Sequence, residues 1–572
     1  MIARKEEDDA NENEQRGFRM KAQRFHDSFV ARVEPMHMEL QLKNGPARVP
    51  VASLEGLFQL FVSDCQCFRT LMSKTLSKHG HVLTLVLYYD EVTPGNPLHP
   101  DNKRKTHLFY VTLQEFGKAT RNVQAWLPAT MVKHDTTDQM DCQFSQFLRN
   151  VLRMWKNSPL FSSGVSLDFG SGRTEVLRLR RRIRMLPDYA ASCSAWNSKT
   201  ASGLRPCLWC QNLLMKSSNL PNQDEYLVNL LEADPSKFDV MDAACIHAIA
   251  DELENLAATA SKPALESFEK HAGFKFHPES LLQDRTLREF VSPQDTATDG
   301  MHVLYASGGI VAVEIGLILD ALKEHHVNLN DIRDLCKSDW HHAAHLDGSI
   351  MAKCLDVHKV TPQLYKGSAS ETLSLVPVLH WMVNNIKESL PNELGPKIAS
   401  FEALCELSKE YQILKHSSLR QTTAELQSAC EKHMVLFMDA YGYEFGKPKH
   451  HLSFHLAQMY DSSAEDDKDK LFFDCWACER KNKDWKYMVD SGQLKRLGCL
   501  EQSSLGRLLS TQVDKMKRAP DLFQDRLLGR CMQCPELQEA LNCNEVWLAK
   551  AMVLGCEQVG LDDILLLPAD CL

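Results

Sequence analysis

Nothing in this 572-residue sequence reads as a signal for export or for a membrane. Met1 to Arg16 is a charged run without the apolar centre of a signal peptide, so a secreted protein is not expected. The longest apolar run, Gly308 to Leu319, is interrupted by Glu314 and falls short of the roughly 20 apolar residues of a membrane span, so no transmembrane segment and no membrane partner are expected. Excess positive charge is lacking too. A net charge of -10 excludes a surface coated for nucleic acid and confines any such contact to a local patch. The 19 cysteines form no dense framework, which together with the missing signal points to reduced thiols in the nucleus or cytoplasm, available for metal ligation or packing. A P-loop, a glycine-rich dinucleotide fingerprint and a nucleophile-elbow serine are all missing, which removes the ATPase, dehydrogenase and serine-hydrolase readings. There is also no solenoid-period repeat and no low-complexity tract.

What is present is an ordinary globular composition, 44% hydrophobic and 24% charged, on a chain long enough for about two to four domains. Val51 to Lys78 repeats Leu54, Leu57, Phe58, Phe61 and Leu71 largely at helical steps. His81 to Tyr89 is a nearly continuous apolar run, the pattern of a strand buried on both faces, and Asp90-Glu91 sits at its end before the turn cluster Pro94-Gly95-Asn96-Pro97. His107 to Leu113 and Asn122 to Leu127 are further strand candidates, and Cys142 to Trp155 reads as a helix with Phe144, Phe147, Leu148 and Val151 on one face.

From Glu175 to Leu186 the sequence alternates, with Leu177, Leu179, Ile183 and Met185 on one side and Arg178, Arg180, Arg182 and Arg184 on the other, while Arg181 breaks the pattern. Asp188 shares the parity of those arginines. Either this is an edge strand kept soluble by its charges, or it is a basic face aimed at phosphates beside an acidic residue. Asn219 to Gly446 is mostly helical in pattern, for example Val313 to Leu322, Val378 to Ile386 and Leu404 to Leu414. Ser462 to Lys470 reads as an acidic loop, Leu471 to Val489 as a helix, and Ile564 to Leu567 as a packed apolar tail.

Two-metal phosphoryl transfer needs carboxylates able to hold two divalent ions about 3.5–4 Å apart, and acidic oxygens suit Mg²⁺ or Mn²⁺. Asp90, Asp188 and Glu479 would supply them if their elements meet; each alone reads as a surface or capping residue. Cys207-Leu208-Trp209-Cys210 has the form of half a zinc site, and His450 with His455, or His451 with His455, could complete it. A buried thiol pair and a histidine-rich helix face are the alternatives. Cys475-Trp476-Ala477-Cys478 reads as core packing, and Trp340-His341-His342 with His345 as structural or surface residues.

These residues, in this order, resemble transposases of the CACTA (En/Spm) type, members of the DDE group with RNase H-like catalytic domains. The resemblance runs from about Leu87 to Asp490. Leu87-Tyr88-Tyr89-Asp90-Glu91 with Asn96-Pro97-Leu98, followed by Lys105 to Leu113, is similar to the family's first-aspartate segment and next strand. Asp188-Tyr189-Ala190-Ala191, through Trp196, Lys199 and Gly203 to Pro206-Cys207-Leu208-Trp209-Cys210, is similar to its second aspartate and Cys pair, although Pro187 stands where a small residue is usual. Asp299-Gly300-Met301-His302 resembles its DxxH motif, and Lys449 to His455 with Glu479-Arg480 its His pair and catalytic Glu-Arg.

The resemblance implies an α/β RNase H-like mixed-sheet core interrupted by a long all-α insertion and followed by a helical C-terminal region. The expected divisions are a poorly defined leader over 1–47, the first part of the core over 48–215, the insertion over 216–446, the return to the core over 447–495 and a helical region over 496–572. It also implies two Mg²⁺ (or Mn²⁺) ions on Asp90, Asp188 and Glu479, a structural Zn²⁺ on Cys207, Cys210, His450 and His455, and cleavage and strand transfer at the ends of double-stranded transposon DNA. Arg178, Arg180, Arg182, Arg184 and Arg480 are the expected DNA contacts, and a nuclear homo-oligomer is expected. The rivals are a domesticated, catalytically silent DNA-binding or scaffolding derivative and a helical interaction module without metals.

Overall fold

The computed structural model describes residues 28–33, 36–94, 105–199, 204–215, 226–338, 354–416, 422–463, 470, 472, 474–490, 500–523, 532–533 and 547–548. Asn96-Pro97-Leu98, Gly203, Trp340-His341-His342 with His345, the N-terminal charged run and Ile564 to Leu567 lie outside them.

The chain is a mixed α/β protein in which helices dominate the later part. Strands β1 (Met36–Leu42) and β2 (Gly45–Val51) form an antiparallel hairpin. The helical pattern that follows divides at Cys65, whose backbone is extended, into α1 (Leu54–Asp64) and α2 (Gln66–His79). A short strand β3 (Val82–Leu83) precedes β4 (Leu85–Val92) and β5 (Thr106–Leu113). Every residue of β5 is buried, as are the first five of β4, which is why this stretch reads as a continuous apolar run.

The strand expected over Asn122 to Leu127 lies later, at β6 (Leu127–Lys133); Gln114 to Ala125 instead forms tight helical turns. Asn122 accepts a bond from the Gln124 amide through its own side chain, a local bond that favours a turn over a ladder. After α3 (Gln143–Lys156), the arginine-rich segment is not one strand. It divides into β8 (Thr174–Leu179), flanked by β7 (Val165–Asp168) and β3 in a small sheet, and β9 (Arg184–Pro187). The break falls where Arg181 interrupts the alternation. β8 is therefore a central strand rather than an edge, and the four arginines do not form one row.

The main sheet has six strands in the order β1-β2-β6-β5-β4-β9, antiparallel except for the β4–β9 pair. Asp188 follows β9 and caps helix α4 (Tyr189–Ala195). The later helices that matter here are α5 (Ile310–Glu324), α6 (Gly395–His416), α7 (Ala424–Tyr441), α8 (Pro448–Asp461), α9 (Trp476–Asp490) and α10 (Leu500–Arg518). Helix α9 begins at Trp476, later than the pattern from Leu471 suggests.

The apolar run around α5 is longer than expected. With the wide turn Met301–Tyr305 it makes a 24-residue stretch, long and apolar enough to cross a membrane by composition, and 78% of its most apolar 18-residue window is buried within the protein. Its Glu314 is fully buried and bonded to Ser400 Oγ and His433 Nε2 at 2.6 Å each, which places the charge that interrupts the run inside a helical core.

Candidate functional site

Strand alternation sends Tyr88 and Asp90 to the same face of β4 and Glu91 to the other. The parallel register pairs Tyr89 with Pro187, so Asp90 and Asp188 emerge side by side where two neighbouring strands end. Glu479 arrives from the first turn of α9. The Tyr88 hydroxyl lies 3.2 Å from Asp90 Oδ2 and 3.3 Å from Glu479 Oε1, so one phenol bridges residues almost four hundred positions apart. Asn482 Nδ2, one turn along α9 from Glu479, donates to the Tyr88 oxygen at 2.9 Å and to Asp90 Oδ2 at 3.2 Å.

The carboxylates feel one another. Burial, then repulsion from Glu479 and Asp188, holds the Asp90 carboxyl well above the usual aspartate range. Burial, then the negative charge of Asp90 and Glu479, keeps the Tyr88 phenol protonated. Asp188 also has a local duty, because its Oδ1 accepts the Ala191 amide at 2.6 Å as the N-cap of α4.

Asp299 and His302 close the other side. Asp299 accepts the Met301 amide at 3.1 Å and the Cys475 amide at 3.0 Å, and bonds His302 Nδ1. His302 Nε2 faces Glu479 Oε1 at 3.9 Å. Burial opposes a charge on His302, but Asp299, then Asp188 and Glu479, raise it to about 9, so the imidazole is cationic at neutral pH. Burial alone would raise Asp299; the His302 cation more than offsets this and holds it low. Gly300 between them packs on the Tyr411 ring, where a Cβ would sit 2.3 Å from the hydroxyl oxygen.

Cys207, Cys210, His451 and His455 form a second, buried group whose ligand atoms all lie within 4.8 Å of one another. The Cys pair sits on a loop turned so that the Trp209 and Cys210 amides donate to Cys207 Sγ at 3.3 and 3.4 Å. The two Nε2 atoms are 3.0 Å apart, and His455 Nε2 is 3.3 Å from Cys207 Sγ and 3.5 Å from Cys210 Sγ. A tetrahedral zinc with bonds of about 2.0–2.3 Å would separate its ligand atoms by about 3.3–3.8 Å, and these three separations match that spacing to within a few tenths of an ångström. His455 Nδ1 is 2.7 Å from Gln458 Oε1, which fixes that nitrogen as the N–H and turns the Nε2 lone pair toward the sulfurs. Burial disfavours a thiolate, but the Cys210 hydrogen bond and the two imidazoles lower Cys207 well below the usual thiol range.

His450 is not in that group, contrary to the first pairing expected from sequence. On α8, residues four apart share a face whereas residues five apart diverge. His451 and His455 therefore converge, and His450 turns toward Phe437 and His433 on α7, its Nδ1 accepting the Lys447 amide at 3.1 Å. Its neighbour Lys449 is close to Asp188 and Asp299, so the helix held by the Cys and His residues also borders the carboxylates.

The arginines are dispersed. Arg178 and Arg180 are exposed, and Arg178 Nε donates to the Ser163 carbonyl at 3.1 Å. Arg182 bonds Asp295 and Ser292 at 2.9 Å each, and Arg184 bonds the Ser462 carbonyl. Arg480 donates to the Arg121 carbonyl at 2.9 Å, tying α9 to the turns before β6.

Sequence reasoning missed Tyr88 and Asn482. Both carried a signal: Tyr88 is two residues from Asp90 on a strand, and Asn482 three from Glu479 on a helix. It also missed the pairing of Cys475 with the Asp299–His302 dyad, and a group of Glu91, His107 and His134, which no local spacing announces.

Comparison with protein-family models and with curated proteins gives no match to this chain. Geometry therefore defines the class: a mixed α/β protein with Cys/His and Glu/His groups able to hold metal ions, and a carboxylate cluster at the sheet edge.

Proposed function

We propose that this chain is a DDE transposase-like protein with an RNase H-like core, which cleaves double-stranded DNA at transposon ends and joins the freed 3′-hydroxyl to a target. The observation that carries the reading is the meeting of Asp90 and Glu479, from a strand end and a distant helix, at one phenol, with Asp188 at the end of the adjacent strand and near enough to raise the Asp90 carboxyl. Mutually repelling carboxylates in a partly buried site are the ligand set that hard divalent cations neutralise, and Mg²⁺ or Mn²⁺ there would activate the attacking oxygen and stabilise the leaving one.

In this reading Asp90 and Glu479 are ligands kept in register by Tyr88 and Asn482, and Asp188 offers the carboxylate oxygen not committed to its helix cap. Cationic His302, oriented by Asp299, steadies Glu479 and adds positive charge beside the scissile phosphate. Zn²⁺ on Cys207, Cys210, His451 and His455 would pin α8 to the core, and with it Lys449 against the carboxylates. A nuclear, multimeric protein is the corresponding expectation.

The test is cleavage of duplex DNA by the full chain in Mg²⁺ or Mn²⁺. Glu479→Gln should abolish the product while leaving the fold intact, and undiminished cleavage by that variant refutes the proposal.

A catalytically silent DNA-binding or scaffolding derivative is the second reading. It is favoured by one observation: Arg182, Arg184 and Arg480 are bonded to groups of the protein, so among the described residues these arginines form no row facing the carboxylates. It predicts DNA binding that survives chelation and no cleaved product in any metal.

A further inference from the structure

We propose that Glu91, His107 and His134 form a separate binding site for a borderline divalent ion such as Zn²⁺, on the face of β4 opposite Asp90. The three come from neighbouring strands. Glu91 is the penultimate residue of β4, His107 is its direct cross-strand partner on β5, and His134 follows the last residue of β6, its amide bonded to the Lys105 carbonyl at 2.9 Å. Cross-strand partners project to one face, so the register brings the Glu91 carboxylate and the His107 imidazole together, and the turn out of β6 adds His134.

Their ligand atoms lie within 4.8 Å of one another. Glu91 Oε2 is 2.6 Å from His134 Nδ1 and 3.9 Å from His107 Nε2, and the two ring nitrogens are 3.4 Å apart. Two imidazoles and one carboxylate with room for solvent are a donor set used by Zn²⁺ and related ions.

The surroundings fit a ligand role. His134 Nε2 lies 3.0 Å from Asp138 Oδ2, the arrangement in which a carboxylate orients a metal-bound imidazole through its other nitrogen. His107 is buried against the Phe144 ring, which holds its imidazole in place. Lys105 Nζ occupies only Glu91 Oε1, at 2.9 Å, and leaves Oε2 turned to the rings. Glu91 and His134 are each about one-third exposed, which provides an entry path and an open position. The same contacts would also be made by a His134 ring hydrogen-bonded between Glu91 and Asp138, with no ion.

Zinc stoichiometry separates the two. The metal-free full chain is titrated with Zn²⁺ against a chromophoric chelator, in excess Mg²⁺ so that the Asp90 cluster does not compete. The native protein should bind one more equivalent than His134→Ala and than the near-isosteric Glu91→Gln, whereas Cys207→Ser should lose a different equivalent. With Co²⁺ in place of Zn²⁺, the equivalent lost in Glu91→Gln should lack the thiolate charge-transfer band that Cys207 and Cys210 would give. Asp138→Asn should weaken that equivalent about tenfold or more. If folded Glu91→Gln and His134→Ala bind as much Zn²⁺ as the native chain, the site does not exist, whatever becomes of the nuclease reading on the opposite face. If His134→Ala fails to fold, Glu91→Gln alone decides.

Discussion

Replacing Asp90 by Asn should stabilise the metal-free protein, the reverse of what loss of a buried hydrogen-bonded residue usually does. Both carboxylates lie on one phenol oxygen, so Asp90 Oδ2 and Glu479 Oε1 are no farther apart than 3.2 plus 3.3 Å. At an effective dielectric of about 20 two unit charges at about 6.5 Å repel by about 2.5 kcal/mol, and Asp188 adds to this. The Asn side chain still accepts from Asn482 and Tyr88 through Oδ1, so little bonding is lost. The pH dependence has a definite sign. Because the folded-state pKa of Asp90 is raised, the carboxyl is protonated without penalty in acid, and the penalty grows as pH rises through that pKa. In chelator at neutral pH, Asp90→Asn should melt about 5–10 °C above the native protein if the core unfolds as a unit of some 150–250 residues. The gain should shrink as the pH is lowered toward the ordinary aspartate range, and Mn²⁺ should raise the melting temperature of the native chain but not of the variant. A lower melting temperature for Asp90→Asn in chelator, or a gain independent of pH, refutes mutual repulsion at this site.

His302 contributes in the opposite sense. Its pKa rises from 6.5 to about 9, so its stabilisation of about 3 kcal/mol is complete below about pH 6.5 and lost as pH rises through about 9; His302→Gln should flatten the melting curve across that window. Cys207→Ser and His451→Ala should both release zinc measured by atomic emission, whereas His450→Ala should keep it and lose only about 1–3 kcal/mol in a denaturant melt. Gly300→Ala should drive a methyl group into the Tyr411 ring and lower the melting temperature, and a Tyr411→Leu background should recover part of the loss.

Much of the sheet was legible because β4 and β5 are buried on both faces, and a buried strand leaves an unbroken apolar run. The carboxylates were legible because each stands at the end of an element. Other features were set by partners distant in sequence. The arginine segment reads as one strand, yet its halves join different sheets, a choice made by β3 and β4 rather than by its own alternation. His450 and His451 are equivalent in composition, and only the helical phase of α8 against the Cys loop separates them. Glu91 and His107 meet through strand register and His134 joins them from the turn after β6, an arrangement no single segment encodes.

The most direct measurement is a crystal structure of the full chain grown with Mn²⁺ and recorded at the manganese and zinc edges. The expected result is manganese density between Asp90, Asp188 and Glu479, with zinc at Cys207, Cys210, His451 and His455. A chain that crystallises in millimolar Mn²⁺ with no manganese among those three carboxylates would contradict the two-metal site and leave a protein that retains the carboxylates without the chemistry.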